Sequence, residues 1–248
     1  MRGFDRAAAV YERSRPDYPA ELVRDLADRL SLGPRSTIVE LASGTGKFTR
    51  ALRPVGAAIV AVEPTAGMRA VFESVVPEVA AIDGTAEAIP LPDGFADAVV
   101  AAQAFHWFRP GPALREIARV LRPGGGLALV WNTRDESVPV VRRLSEVLHR
   151  YRGSAPWARE AAWRAAFDRP RSSFGRLRHR RYRHVQRLDP TTFVDRALSV
   201  SYVAARPARE RRRIAREVAA ILEEDPATRD RATIALPYAT DLYWTRRR

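Results

Sequence analysis

Five short apolar runs, each ending in polar or glycine-rich residues, constrain the fold of this chain more than any other feature. They cover residues 37–41, 58–62, 79–82, 98–102 and 127–131. Nearly all their residues are apolar, which is typical of strands buried on both faces. Helical stripes over 22–30 and 114–121 alternate with them. The pattern predicts an α/β fold in which a Rossmann-like, mostly parallel sheet is covered by helices on both faces.

Residues beyond 140 have a looser pattern. They predict amphipathic helices over 140–151 and 209–222 and strands over 176–188 and 232–245. No low-complexity linker precedes them, so we predict a single domain over residues 1–248. Its predicted parts are N-terminal cover helices (1–35), a cofactor-binding core (36–135), and lid helices with closing strands (136–248).

The residues that follow the predicted strands indicate a ligand site. Ligands of parallel sheets bind at the carboxyl ends of the strands. The residues there are polar, glycine-rich or unusual, at 42–46, 63, 83–87 and 103–107. A sheet without a ligand would not need such residues at all four positions.

The first of these segments, Glu40-Leu41-Ala42-Ser43-Gly44-Thr45-Gly46, predicts a sharp turn whose backbone approaches a ligand. The dinucleotide-binding pattern G-x-G-x-x-G requires a third glycine where this chain has Thr49, so a nicotinamide cofactor is excluded. Glu63 lies 19 residues after Gly44, at the end of the second strand. A carboxylate there can accept hydrogen bonds from both ribose hydroxyls.

Seven segments within residues 1–135 together resemble one known family, in order and spacing. They are 4–11, 15–19, 39–46, 61–64, 84–93, 103–108 and 119–125. The chain resembles the class I S-adenosylmethionine-dependent methyltransferases of the methyltransferase type 11 family. It looks most similar to the trans-aconitate methyltransferase-like subgroup. The resemblance implies a seven-stranded sheet with an antiparallel last strand, helical lid insertions, and S-adenosylmethionine as the cofactor.

The resemblance also assigns roles to individual residues. Gln103 and Ala104 lie against the methionine part of the cofactor, and the backbone of Ala86 meets the adenine. Tyr11 and Arg15 belong to an N-terminal segment that folds over the site. The motifs and the resemblance together predict these cofactor-binding residues: Glu40, Ala42, Ser43, Gly44, Gly46, Glu63, Pro64, Met68, Thr85, Ala86, Glu87, Gln103, Ala104, Tyr11 and Arg15.

The acceptor of the methyl group is less constrained. A general base is needed only when the acceptor must lose a proton, and His106 is the candidate for that catalytic role. Its aromatic neighbours favour a structural or substrate-wall role instead. The candidate substrate-binding residues are Trp107, Asn132, Trp157 and Tyr202. Arginines that point inward would select an anionic or carboxylate acceptor, since a guanidinium matches the geometry of a carboxylate.

The net charge of +13 is confined to one part of the chain. Residues 1–140 carry 16 basic and 17 acidic side chains, and all other basic side chains, 26 of 42, follow them. The runner-up function is therefore an RNA or DNA methyltransferase that uses a basic stripe over 176–187. A non-methylating protein that binds S-adenosylmethionine is a third reading. We favour a small-molecule acceptor, because strand alternation splits the basic stretch onto two faces.

Other classes of protein are excluded or disfavoured by what the sequence lacks. It has no cysteine, no apolar run long enough to span a bilayer, and no signal-peptide pattern. Its four histidines show no metal-ligand spacing, so we predict no metal. We expect a cytoplasmic monomer or homodimer that has no membrane partner.

Overall fold

The computed structural model describes residues 14–153, 163–168 and 172–248. A seven-stranded sheet has the strand order β3-β2-β1-β4-β5-β7-β6, and its last strands run antiparallel. The predicted fold class is therefore confirmed. The strands are β1 (Thr37–Leu41), β2 (Ala58–Val62), β3 (Ala81–Ile82), β4 (Ala96–Ala102), β5 (Leu121–Arg134), β6 (Arg178–Leu188) and β7 (Ile234–Arg246).

Parallel pairing brings the carboxyl ends of the first four strands to one edge of the sheet. Leu41 lies opposite Val62, and Val62 lies opposite Ile82. Glu40 is paired with both Ala61 and Val100, so β1 lies between β2 and β4. The residues after these strands are therefore neighbours in space, as the sequence pattern requires.

The described part of the chain contains eight helices, several of which bury one apolar stripe. In the first of them Leu22, Val23, Leu26 and Leu30 are buried, which is the spacing of one helical face. The helices are α1 (Ala20–Leu30), α2 (Lys47–Leu52), α3 (Ala66–Val75), α4 (Pro110–Val120), α5 (Pro139–His149), α6 (Pro190–Leu198), α7 (Ser201–Ala204) and α8 (Ala208–Glu224).

Most elements differ from their predicted bounds by a few residues, and two strands show why. The fifth strand was expected over 127–131, but β5 already begins at Leu121, which pairs with Ala96 across an irregularity in the register. The third strand was expected over 79–82, and only Ala81–Ile82 forms it. Tertiary pairing, rather than local apolar content, sets these ends.

The chain divides into two compact units. The larger comprises, among the described residues, 17–132, 163–168, 172–182 and 240–248, and the smaller comprises 14–16, 133–153 and 183–239. The larger unit holds the sheet core, with Val39, Val99 and Leu129 fully buried. The smaller unit contains α5 to α8, whose buried apolar residues include Leu144 and Phe193. The predicted single domain stays a prediction.

No helix in the described part of the chain has both the length and the apolar content needed to cross a membrane.

Candidate functional site

The loop after β1 is built around a buried carboxylate. Glu63, the residue directly after β2, is 5% exposed. Its Oε2 accepts a hydrogen bond from the Gly44 amide at 2.9 Å, and its Oε1 accepts one from the Thr65 amide at 2.9 Å. The side chain thus joins the loop after β1 to the turn after β2. Because a carboxylate has about four acceptor positions, each oxygen keeps one for a further donor.

The backbone of this loop adopts left-handed conformations where the sequence pattern places small residues. Gly44 has φ +58° and Gly46 has φ +81°. Ala42, in the same loop, has φ +52°. An alanine adopts this positive φ at a cost of roughly 1–2 kcal/mol. The loop thus bends sharply at this residue as well.

The loop retains features that fit a polar ligand. The Ser43 hydroxyl is buried and has no hydrogen-bond partner among the described residues. A Cβ added to Gly44 would meet no atom within 4 Å, so open space lies beside this backbone. A buried polar group without a partner is costly in the free protein and is satisfied when a ligand donates or accepts there.

Glu40 differs from Glu63 in its surroundings. It is 2% exposed, and its carboxyl accepts a hydrogen bond from the Thr49 hydroxyl at 2.5 Å. Burial raises the pKa of Glu40 to about 8, the Thr49 hydrogen bond opposes this, and the nearby Glu63 charge adds to it. Glu40 therefore supports the loop from within the sheet and is protonated at neutral pH.

The predicted adenine-side residues lie after β2 and β3. Pro64 and Thr85 are exposed, Met68 is half-buried at the start of α3, and Ala86 is buried. The Glu87 carboxylate accepts a hydrogen bond from the Arg109 amide at 2.7 Å. These residues belong to the same unit as Glu63, and their contact with a cofactor stays a prediction.

Gln103, at the end of β4, is held in an unusual conformation. Its φ of +57° is in the left-handed region, which a non-glycine residue adopts at a cost. The Gln103 amide nitrogen Nε2 donates to the Asn132 carbonyl at 3.2 Å, and the neighbouring Ala104 is buried. Backbone strain of this kind clusters at functional sites.

Asn132 has both ends of its side-chain amide occupied. Its Nδ2 donates to the Asp17 carbonyl at 3.1 Å, and its Oδ1 accepts from the Thr240 hydroxyl at 2.6 Å. The amide therefore joins three segments of the larger unit. Its predicted role in binding substrate stays a prediction, whereas its role in holding these segments is visible.

His106 lies in a short 3₁₀ turn, Phe105–Trp107, directly after β4. Burial lowers its pKa to about 4, well below the near-neutral value expected from its residue type. The Trp131 indole nitrogen donates to His106 Nδ1 at 3.4 Å. This bond assigns the proton of the neutral ring to Nε2, which makes Nε2 a hydrogen-bond donor. The surroundings therefore do not favour a general base here.

The remaining predicted site residues are distributed as follows. Trp107 is 53% exposed beside His106, with ring centroids 5.2 Å apart. Arg15 and Tyr202 belong to the smaller unit, where Arg15 Nη2 donates to the Ser199 carbonyl at 2.8 Å. Tyr11 and Trp157 lie outside the described residues. Within the described residues no cluster of three or more metal-ligating side chains occurs.

The basic residues at the start of β6 are largely paired with acids. Arg180 forms ion pairs with Glu21 at 3.0 Å and Asp25 at 2.9 Å. Arg181 donates to both oxygens of Asp241, and His179 also contacts that carboxylate at 2.6 Å. These acids neutralise part of the stripe that a nucleic-acid surface would require.

Comparison with known proteins gives the family. A model of the methyltransferase domain matches residues 39–129. An uncharacterized methyltransferase of Mycobacterium tuberculosis is 38% identical to this chain over 96% of its length and 92% of the relative. A methyltransferase-like protein of Schizosaccharomyces pombe is 36% identical over 97% of this chain and 93% of the relative. The chain belongs to the methyltransferase family.

The fold of this methyltransferase matches a solved structure as well. A protein of Anaeromyxobacter dehalogenans, whose structure is described as that of a type II methyltransferase, superposes on this chain with a TM-score of 0.70. The two are 26% identical over 94% of this chain and 97% of the other. The methyltransferase-domain match spans β1 to the central part of β5, which includes Gly44, Glu63 and Gln103.

Sequence reasoning missed two residues that the structure makes prominent. Arg196 is buried in the smaller unit and Arg134 is half-buried there, and neither was singled out. Arginines that point inward were considered from the sequence, but the positions that they occupy were not predicted. No local signal separates these two from the other arginines of the chain.

Proposed function

We propose that this methyltransferase transfers the methyl group of S-adenosylmethionine to a small molecule. The observation that carries the proposal is the Glu63 carboxylate, buried and bonded to the Gly44 and Thr65 amides. Its remaining acceptor positions suit the two ribose hydroxyls of the cofactor. The unpartnered Ser43 hydroxyl and the open space at Gly44 supply further room for polar contact.

Bound S-adenosylmethionine supplies a methyl carbon attached to a positively charged sulfur. In the transfer, the acceptor's electron pair would form the new bond to that carbon, and the sulfur would keep the electrons of the broken carbon–sulfur bond. The protein contributes chiefly by orienting the acceptor and excluding water. A carboxylate acceptor loses no proton, which agrees with the donor state of His106 Nε2. His106 and Trp107 then form part of the acceptor wall.

Several finer assignments belong to the same proposal. The cofactor-binding roles of the loop residues rest on the motif and on their placement around Glu63. The similarity to trans-aconitate methyltransferases and the cytoplasmic location stay predictions. A small-molecule acceptor is favoured over nucleic acid because Arg180 and Arg181 are already paired with acids.

The proposal is tested by calorimetric titration of the full chain with S-adenosylmethionine. In Glu63→Gln one amide hydrogen, of Gly44 or Thr65, would face an NH₂ group in place of an acceptor oxygen. We expect the dissociation constant for S-adenosylmethionine to rise at least about tenfold, because one hydrogen bond to a charged acceptor is lost.

Glu73→Gln is the matched control, since it removes an exposed glutamate of α3. Its dissociation constant should equal that of the wild type. Absence of S-adenosylmethionine binding in the wild type, or equal binding by Glu63→Gln, would refute the proposed cofactor site.

A further inference from the structure

The smaller unit encloses an arginine whose guanidinium is incompletely bonded. Arg196, on α6, is 6% exposed. Its Nε donates to the Tyr238 hydroxyl at 3.1 Å, while its Nη1 is buried and has no hydrogen-bond partner. Among the described residues no carboxylate forms an ion pair with it. A buried charge without a counter-charge is among the most costly arrangements in a folded protein.

A second guanidinium, of Arg134, lies near enough for the charge of Arg196 to act on it. Arg134 is the last residue of β5, and its Nε donates to the Ser145 hydroxyl of α5 at 3.1 Å. Burial lowers the pKa of Arg134, and the positive charge of Arg196 lowers it further. Within the described residues Arg134 likewise has no ion pair, and the exposed Glu136 acts on it only as a longer-range attraction.

Tyrosine hydroxyls complete the group. The guanidinium groups of Arg134, Arg152 and Arg196 all act on Tyr202, whose hydroxyl is hydrogen-bonded to Arg134. Tyr202 and Arg134 are half-buried, so part of each side chain is exposed to solvent. Tyr238 is 1% exposed and is stacked against the His184 ring, which fixes its position.

We infer that Arg134 and Arg196 together bind a carboxylate of a small-molecule ligand, within the smaller unit. An anion between them would supply the missing acceptor for Arg196 Nη1 and offset the repulsion between two like charges in a poorly hydrated place. Guanidinium groups match the two oxygens of a carboxylate, and the tyrosine hydroxyls add further donors. The anion site rests on these contacts alone and is independent of the proposed function.

Binding is tested with the full chain by calorimetry, using succinate and citrate as probes and succinamide as the neutral analogue of succinate. Both carboxylates should bind the wild type, and succinamide should bind at least about tenfold more weakly. Arg196→Gln and Arg134→Gln should each weaken the binding of succinate or citrate by about tenfold or more. Arg196→Lys keeps the charge without the planar fork and should restore only part of the affinity.

Arg212→Gln is the matched control, because it removes one exposed arginine from α8 in the same unit. It should leave carboxylate affinity unchanged. Thermal unfolding of each variant checks that it folds, and two independent arginine positions protect the test against loss of either variant. Equal succinate binding by the wild type and both glutamine variants would overturn the proposal. So would equal affinity for inorganic phosphate and for the carboxylates, or no binding of either carboxylate by the wild type.

The result is separable from the proposed function. Titration with S-adenosylmethionine should give the same dissociation constant in the wild type, Arg134→Gln and Arg196→Gln. Carboxylate binding that depends on both arginines, in a chain that does not bind S-adenosylmethionine, would support the anion site and refute the proposed cofactor. The reverse pattern would retain the cofactor and refute the anion site.

Discussion

Two glutamates at neighbouring strand ends differ in their roles because their surroundings differ. Glu63 accepts hydrogen bonds from two backbone amides. Glu40, buried in β1, is bonded to the Thr49 hydroxyl, and burial raises its pKa to about 8. Both were predicted as cofactor contacts. In the structure Glu63 joins two loops at the strand ends, whereas Glu40 supports the first of these loops from within the sheet.

The raised pKa of Glu40 predicts a pH-dependent stability. A carboxyl whose pKa is about 8 when folded, against an ordinary 4.5, binds its proton more tightly in the folded state. The contribution of Glu40 to the free energy of unfolding is then greatest below pH 4.5 and falls as the pH rises towards 8. The loss is about 1.4 kcal/mol for each pH unit. Urea unfolding of Glu40→Gln across this interval should lack that component.

The exposed Glu73→Gln variant removes a glutamate of the same type and should follow the wild-type pH dependence. Parallel pH curves for the wild type and Glu40→Gln would contradict the assignment of a protonated Glu40.

At the scale of elements, the loop after β1 depends on the close approach of α3. A Cβ at Gly46 would lie 2.6 Å from Val76 Cγ2 and 2.9 Å from the Phe72 ring. Phe72 and Val76 are fully buried, so neither can move aside easily. Gly46 is therefore needed for two reasons, its φ of +81° and the space taken by α3 and the residue that follows it. Gly44 has only the first reason.

This difference predicts that Gly46→Ala is more destabilising than a glycine substitution in open space. Gly94→Ala is the matched control, since its φ is +63° and its Cβ would meet nothing within 4 Å. Both variants pay roughly 1–2 kcal/mol for the left-handed backbone, and Gly46→Ala adds about 1–3 kcal/mol of overpacking. Urea unfolding measures the free energy of unfolding of both variants. Equal losses would show that α3 can move away from residue 46 without loss of stability.

Element boundaries also show where local signals were overlooked. The helix α6 begins at Pro190, and the Asp189 side chain accepts a hydrogen bond from the Thr192 amide at 2.9 Å. An aspartate before a proline at the first helical position is a recognised start signal. This signal is present in the sequence, although the predicted elements did not include a helix there. The start of β5 at Leu121, in contrast, depends on its pairing with a distant strand.

At the scale of the whole molecule, the charge of +13 is the feature most easily mistaken for a nucleic-acid surface. The basic residues beyond 140 are not all available to phosphates. Arg180 and Arg181 are paired with acids, Arg196 is buried in the smaller unit, and Arg213 pairs with Glu217 along α8. Net charge therefore overstates the free positive surface.

We expect methyl transfer to small carboxylates and none to nucleic acid. With radiolabelled S-adenosylmethionine, label should enter a low-molecular-weight carboxylate fraction, while bulk transfer RNA and duplex DNA stay unlabelled at physiological salt. Denatured protein controls for label that is carried over without transfer. Label incorporated into RNA or DNA would reverse the choice between the two acceptor classes.

The sequence by itself determined the sheet and the bend of the loop after β1, because these depend on short-range patterns. Apolar runs of four or five residues specify buried strands, and residues 42–46 specify the bend. The spacing from Gly44 to Glu63 needs only one intervening helix. Such signals involve backbone geometry and neighbours that are close in the chain.

Only the tertiary structure decided which arginines lie inside and what His106 can do. Arg196 meets Tyr238, 42 residues away, and His106 meets Trp131, 25 residues away. The guanidinium and imidazole groups are the same chemical groups at every position, and their pKa, exposure and free hydrogen-bonding atoms follow from distant partners. Local sequence carries no record of those partners, so the surroundings of these side chains became visible only in the folded chain.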